Sequence, residues 1–537
     1  MLIELRLPRS APRQWHLRLV ESLAKQRDVS VWVNWVDVKE ELPPCVELLF
    51  MLERLVFGLD AGGGAAAIPR ERFGRHAVRP QRKVDLALDF CGPLKASLTP
   101  TWTLTFDGSF GEAAALGALL GDNSPSIEII DVKSGDLVAS ARAGSAADYS
   151  LLGFYQDILA RASALVVAAI DDRAPRPTLE RSRVFHEGCA AVARFSLRTL
   201  TRLVRRRLYL LAHFAPHWRV GWRFVDGPDV IDLQGHPPSG WKTLPDDGFH
   251  FYADPFPVVR DGRTFLFVED YDHRVGRGVI SVAEFDERGP LTPPQPVFSR
   301  ECHLSYPFVF EHEGEMWMVP ETSGARSIDL YRAERFPGGW HYEANLVAGV
   351  EASDATLFMH EGQWWMMATV RENEGSYSDA LHLWSAPKLQ GPWTPHRRNP
   401  VLVDISSARP AGRVVRRGDM LVRPVQDCRG GYGAALALAT ITRLDADGFE
   451  QRVDATILPG PLWPGRRLHT LNRAGRLECI DGSANSLKLA ALWRQGIFFG
   501  ETRLRTPNIV TTPGAALQPA LAIRPRRASD RSGESSS

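Results

Sequence analysis

Cysteine is scarce and scattered. Six residues, Cys45, Cys91, Cys189, Cys302, Cys428 and Cys479, are spread through 537 positions with no CxxC pair. That spacing excludes a zinc knuckle and offers no disulfide framework, so reduced thiols in a cytoplasmic protein are the expectation. Charge of one sign is also lacking: 64 Lys and Arg against 63 Asp and Glu leave a net charge of +1. Such a balance supplies no bulk attraction to nucleic acid, and no nucleic-acid partner is expected. No uncharged run approaches the roughly 20 residues that cross a bilayer, and the segment Met1–Trp15 lacks the basic-then-apolar pattern of a secretory signal. Neither a GxGxxG fingerprint nor a phosphate loop occurs, and Ala61-Gly62-Gly63-Gly64-Ala65 follows no strand signal. Composition therefore assigns no cofactor and no metal.

A chain this long exceeds one hydrophobic core, and its pattern changes along its length. Leu2–Leu7 alternates as a strand. Trp15, Leu19 and Leu23 then recur at helical spacing, and Val29–Val33 is β-branched. With further strand signals at Val84–Phe90, Trp102–Phe106 and Ile127–Val132 and a helix over Leu151–Ile170, residues 1–172 read as an α/β, Rossmann-like domain with a mainly parallel sheet. Residues 173–216 read as a linker and a basic helix. Within it Gly188–Ala212 carries Arg198, Arg202, Arg205, Arg206 and Arg207 among Leu and Val. Two readings stand for that helix: a solvated connector, or a peripheral contact with anionic lipid. At the other end, the polar stretch from Arg524 has the composition of a disordered tail, within a C-terminal extension over 486–537.

Over residues 217–485 short β-rich runs repeat. Asp254-Pro255-Phe256 is followed by Asp261-Gly262 and the strand Thr264–Glu269. Tyr306-Pro307-Phe308 is followed by Glu313-Gly314 and Trp317–Glu321. Asp354-Ala355-Thr356 is followed by Glu361-Gly362 and Trp364–Met367. The offset from first residue to glycine is eight each time. A fourth unit starts at Arg409 with Arg417-Gly418, and a fifth spans His469–Gly482. Hairpins repeating every 50 residues or so predict an all-β propeller of four or five blades, five favoured, closed by Trp218–Val225 as a strand of the last blade. Trp317, Trp340, Trp364, Trp365, Trp384 and Trp393 sit within strands and read as blade core rather than sugar-stacking rings.

Ring geometry turns the repeat into a site. The residue opening each inner strand faces the central funnel, which gathers Asp254, Tyr306, Asp354 and Arg409. The second strand runs back to the same face, bringing Glu269 and Glu321, and the last blade adds His469. Clustered carboxylates shift one another's proton affinity and can divide into acid and base, as glycosidic cleavage requires. The same set suits a divalent cation or sugar hydroxyls, and Asp before Pro is also an ordinary turn-former.

Tyr252-Ala253-Asp254-Pro255-Phe256-Pro257, Ser305–Phe310, Trp317–Ser323, Ile328–Ala333, Phe336–Trp340, Ser353–Phe358, His469-Thr470 and Ile480-Asp481-Gly482 together carry a resemblance. The region resembles the propeller domain named for the N-terminal part of glucosamine inositolphosphorylceramide transferase, a five-bladed fold similar to glycoside hydrolase families 43 and 32. The resemblance implies base or nucleophile duty for Asp254 and a tuning role for Asp354. Those hydrolases also carry a catalytic-acid Glu, but here Arg409 stands at the corresponding start, and Glu321 is the substitute from another blade. Arg13-Gln14-Trp15-His16-Leu17 and Trp102–Phe106 resemble a formyltransferase-like domain, without its Asn-x-His-x-Ser string; the chain reads Thr103–Glu112 there instead.

The expectation is a carbohydrate-active protein that binds or processes a glycan or glycoconjugate precursor in the funnel. Asp254, Asp354 and Glu321 are the catalytic candidates; Glu269, Tyr306, Arg409 and His469 are the substrate-binding ones. The alternatives are a non-catalytic glycan-binding or scaffold module of a polysaccharide-assembly system, and an acyl-type transferase using the N-terminal domain.

Overall fold

The computed structural model describes residues 1–498 except 39–41, 61, 93–97, 146–148, 176, 178–180, 182–186, 372–374 and 464. The polar stretch from Arg524 therefore lies outside the described residues.

The N-terminal sheet runs in the order Ser30–Val36, Leu2–Pro8, Leu86–Asp89, Thr101–Phe106, Ser126–Asp131, Leu137–Arg142. Its first three pairings are parallel and its last two antiparallel. This is a mixed sheet, where strand–helix alternation predicts a mainly parallel one. The cause lies in the helix Glu112–Leu120, which is nine residues long. The strand after it re-enters from the edge that Thr101–Phe106 left, pairing Ile127 with Phe106, and so runs backwards. The helix Leu151–Ile170 packs the core, with Tyr155, Ile158, Leu159 and Ala162 sealed from solvent.

From Trp218 onward the described residues form five antiparallel sheets of four or five strands. The first blade holds His250–Arg260, Arg263–Asp272 and Arg277–Asp286; the second holds Ser305–His312, Glu315–Glu321, Ser327–Arg335 and Gly338–Ala348. The third is built on Ala352–His360, Gln363–Val370 and Ala380–Ala386, and the fourth on Val415–Arg417, Met420–Asp427, Ala435–Asp445 and Gly448–Ile457. In the fifth, Thr470–Ala474 and Leu477–Ser483 pair with Trp218–Phe224 and Lys242–Thr243 from the other end of the propeller. Joining first and last strands in one blade closes the ring and removes two exposed sheet edges.

Each of the first three hairpins turns through two residues with positive φ: Asp261 and Gly262 at 50° and 74°, Glu313 and Gly314 at 53° and 78°, Glu361 and Gly362 at 51° and 75°. That is a type I′ turn, whose twist matches the strands it joins and for which an acidic residue followed by Gly is well suited. In the fourth blade the strand runs through Arg417, and the turn falls one residue later, at Gly418-Asp419. Trp317, Trp340, Trp364, Trp365 and Trp384 are buried between the sheets, while Trp393 is half-buried.

The two halves meet at one buried ion pair. Arg161 of the long N-terminal helix donates to both oxygens of Asp379, at 3.0 and 2.6 Å, and the Gly144 N–H adds a third bond at 2.8 Å. Ala380 and Val403 of the third blade complete the apolar core of the N-terminal sheet, so the two cores are continuous there.

Candidate functional site

Asp254, Tyr306 and Asp354 do not open their strands; each lies inside one, at a bulge. The register slips between Ala253 and Phe256, between Ser305 and Phe308, and between Ser353 and Thr356. All three residues adopt left-handed backbone, at φ 49°, 42° and 58°. A bulge leaves its extra residue outside the ladder and re-aims its side chain, here across the boundary to the neighbouring blade. Non-glycine residues in this region store strain, and three in equivalent positions mark the funnel as a place where surrounding contacts hold the backbone.

Those contacts run from blade to blade. Asp481 of the fifth blade accepts the Asp254 N–H at 2.7 Å, Asp254 accepts the Tyr306 N–H at 3.1 Å, and Glu321 accepts the Asp354 N–H at 3.2 Å. The other Asp254 oxygen accepts from the Thr470 hydroxyl at 2.9 Å and lies 3.5 Å from His469 Nε2. His469 is held in turn by Asp481, Nδ1 to Oδ1 at 2.6 Å, and by the face of Trp218, whose ring stacks on it at 4.1 Å. On the far side, Arg409 donates from Nε to Asp354 Oδ2 at 2.5 Å, and Gln426 donates to the same oxygen at 2.9 Å. The Arg409 guanidinium also covers the ring of Tyr432 at 4.8 Å.

The carboxylates are nearly enclosed: Asp254 is 4% and Asp354 3% exposed. Burial pushes Asp254 up to about 6, with His469 opposing the rise and Asp481 and Asp354 adding to it. Burial likewise lifts Asp354 to about 6, against the pull of Arg409. Glu269, paired across the ladder with Ala253, is driven well above the carboxylate range by burial first and then by the charges of Asp254, Glu321 and Asp481. Its neighbour is His303, with Nε2 at 3.3 Å. His469 is raised, because Asp481 and Asp254 outweigh the burial that would lower it. Glu269 thus holds its proton more tightly than an exposed carboxyl does, while Asp254 and Asp354 ionise only above about 6. Tyr432, 42% exposed and edge-on to Trp218 and His469, is its open wall.

Six of the seven residues singled out from the sequence bring their side chains into this cluster, and Tyr306 gives it only a backbone N–H. Tyr306 does not line it. Its ring is fully buried, and its hydroxyl is engaged by Thr356 at 2.9 Å and by the Gly412 N–H at 2.8 Å, which makes it part of the floor. Gly412 fits there with φ 136°, since a Cβ would stand 2.0 Å from the Leu471 carbonyl oxygen. Below it the Arg413 guanidinium closes the channel between the rings of Phe256 and Phe308, at 5.4 and 5.2 Å. Asp481, Thr470, Gln426, Trp218 and Tyr432 are site members that the repeat did not single out.

The Arg13–Leu17 string has a different use. Arg13 Nε, Trp15 Nε1 and Tyr155 Oη all donate to Glu112, at 2.5, 2.7 and 2.6 Å. His16, 2% exposed, is lowered to about 4 by burial. The cluster binds helices to one another and offers no open histidine.

Residues 243–477 match the family "Glucosamine inositolphosphorylceramide transferase 1, N-terminal". Among characterised proteins, the rice (Oryza sativa subsp. japonica) glucosamine inositolphosphorylceramide transferase 1 is 32% identical over 296 residues, which is 49% of this chain and 40% of that protein. Its Arabidopsis thaliana counterpart is 30% identical over 229 residues, 41% of this chain and 30% of that one. The chain therefore spans well under half the length of these relatives. Similar solved structures include a thermostable family-43 glycoside hydrolase, with TM-score 0.30, 15% identity, and coverage of 41% of this chain and 84% of that one. A family 117 glycoside hydrolase of the marine bacterium Zobellia galactanivorans has TM-score 0.33 and 14% identity, over 46% of this chain and 77% of that one.

Proposed function

We propose that the propeller funnel binds the sugar part of a glycan or glycoconjugate precursor and acts at its anomeric centre. The observation that carries this reading is one enclosed cluster of unequal proton affinities: Glu269 is raised well above the usual carboxylate value, Asp254 to about 6, and His469 is steadied between Asp254 and Asp481. A paired donor and carboxylate is what cleavage or transfer of a glycosyl group demands. In this reading Glu269 is the proton donor and Asp254 the base or nucleophile. Asp354, clamped by Arg409, orients the site, and Glu321 holds the Asp354 backbone instead of serving as the acid. Tyr432, the exposed ring of the funnel, supplies the aromatic surface against which a sugar packs, while Trp218 is buried behind it against His469. The name of the relatives, which joins glucosamine to an inositolphosphorylceramide by transfer, supports a sugar ligand.

A second reading is favoured by the Asp354–Arg409 pair, which neutralises one of the two carboxylates that the hydrolase comparison would employ, and by the match lying in a part named N-terminal in longer proteins. On that reading the funnel holds a glycan without altering it. Sugar nucleotides and amino-sugar oligosaccharides, incubated with wild type and Asp254→Asn, separate the two. Turnover lost with binding retained supports the enzyme, binding with no turnover in either supports the module, and no binding to either protein defeats both.

A further inference from the structure

The helix Gly188–Ala212 has six arginines and no acidic residue, and its outer face is apolar. Leu197, Leu200, Val204, Leu208 and Leu211 recur at three- and four-residue steps, which at 100° per residue confines them to an arc of about 80°. All five are 50% to 75% exposed. Ala191, Val192 and Phe195, on the opposite side, are the residues that pack inward. Helical spacing puts Arg207 along one border of the stripe and Arg194 and Arg205 along the other. Among the described residues none of these three pairs with a carboxylate; the ion pairs of this helix to Asp122 come from Arg198 and Arg202, nearer the packed side.

Two more helices extend the same character. Pro44–Phe57 packs against Gly188–Ala212 and leaves Leu48, Met51, Leu52, Leu55 and Val56 exposed. At the other end, Ser486-Leu487 pairs with His213-Phe214, and Lys488 Nζ donates to the Leu210 carbonyl. From there Lys488–Phe498 continues with Leu489, Leu492 and Trp493 exposed, the indole at 74%. Exposed apolar side chains thus recur on three neighbouring helices, and a clustering of this kind marks an interaction surface.

We infer that this three-helix face docks on the headgroup region of an anionic bilayer. The stripe would enter the acyl boundary while Arg194, Arg205 and Arg207 meet lipid phosphates and carboxylates, and the tryptophan would sit at the interface where amphipathic rings are favoured. Charge complementarity selects this occupant. A second copy of the chain would bring the same uncompensated arginines against themselves, whereas an anionic surface neutralises them. The inference stands independently of what the funnel binds.

Co-sedimentation of the full chain with vesicles of phosphatidylcholine, and with vesicles containing about 30 mol % phosphatidylserine, tests it. The expected result is at least tenfold tighter binding to the anionic vesicles, weakened in about 0.5 M salt by screening. Leu200→Glu/Val204→Glu/Leu208→Glu is expected to lose that binding with an unchanged melting curve, and Arg205→Gln/Arg207→Gln to lose the preference for anionic lipid. Absence of binding to either vesicle, binding unaffected by the triple substitution, or a stable dimer in sedimentation velocity that the triple substitution dissolves would each overturn it.

Discussion

Arg409 of the fourth blade and Asp354 of the third share a hydrogen bond of 2.5 Å inside the funnel, both with little access to water. Removing one member of a buried pair leaves the other charge uncompensated, which costs more than the pair itself contributes. Arg409→Met is expected to destabilise the propeller by about 3–5 kcal/mol. Adding Asp354→Asn should recover much of that loss. Denaturant melts of the two single variants and the double variant measure it, and additive losses would contradict the pairing.

Asp254 yields a prediction with a defined sign. Its proton affinity is raised in the folded chain, to about 6 from 3.8. The stability it contributes is therefore fully present below the unfolded value and is lost as pH rises through about 6. Asn at this position undergoes no such loss. The stability of Asp254→Asn relative to wild type should rise by on the order of 2 kcal/mol between pH 4 and pH 7. Unfolding titrations at both pH values check it; a difference that does not change with pH would mean that Asp254 is not buried as described.

Tyr306 belongs to the floor. Tyr306→Phe deprives the Gly412 N–H of its acceptor and leaves the Thr356 hydroxyl with the Asp354 carbonyl alone. A loss of about 1–3 kcal/mol is expected, the cost of an unsatisfied buried group. Sugar affinity, read by calorimetry, should change by less than about threefold, or under 1 kcal/mol. A large fall in affinity with stability intact would return this residue to the substrate-binding set.

Glu269 carries the proposed proton donor. Burial raises the affinity of Glu269 for its proton, and Glu269→Gln is close to isosteric with the protonated carboxyl, so the melting temperature should hold. Turnover should fall by about 10²- to 10⁴-fold, the range for a lost general acid. Glu321→Ala should affect stability more than chemistry, since it removes the oxygen that anchors the Asp354 backbone.

The ring and half of the site were legible because both repeat. Asp254, Tyr306 and Asp354 stand at one position of a recurring hairpin, and the equal offset to Gly262, Gly314 and Gly362 carries the turn with it. That they sit on bulges was not legible, since a bulge shows only in the register of the partner strand. Asp481 and Thr470, which stand in strings that carry the family resemblance, and Gln426 were not singled out as site residues for another reason. They reach their partners across 227, 216 and 72 residues of chain, and such pairings depend on closure of the ring rather than on any local pattern. In the N-terminal half, the strand Leu137–Arg142 and the helix Pro44–Phe57 lacked a clear period. The direction of Ser126–Asp131 was set by where a nine-residue helix returns the chain, which alternation of strands and helices does not encode.

The central claim is that the funnel is a sugar site, and a crystal structure of the protein soaked with an amino-sugar oligosaccharide tests it most directly. The account predicts one sugar ring against Tyr432, with its anomeric oxygen within hydrogen-bond reach of Glu269 and Asp254 on opposite sides. Density for the sugar on an outer blade surface, or a funnel that stays closed over its carboxylates at saturating ligand, would contradict it.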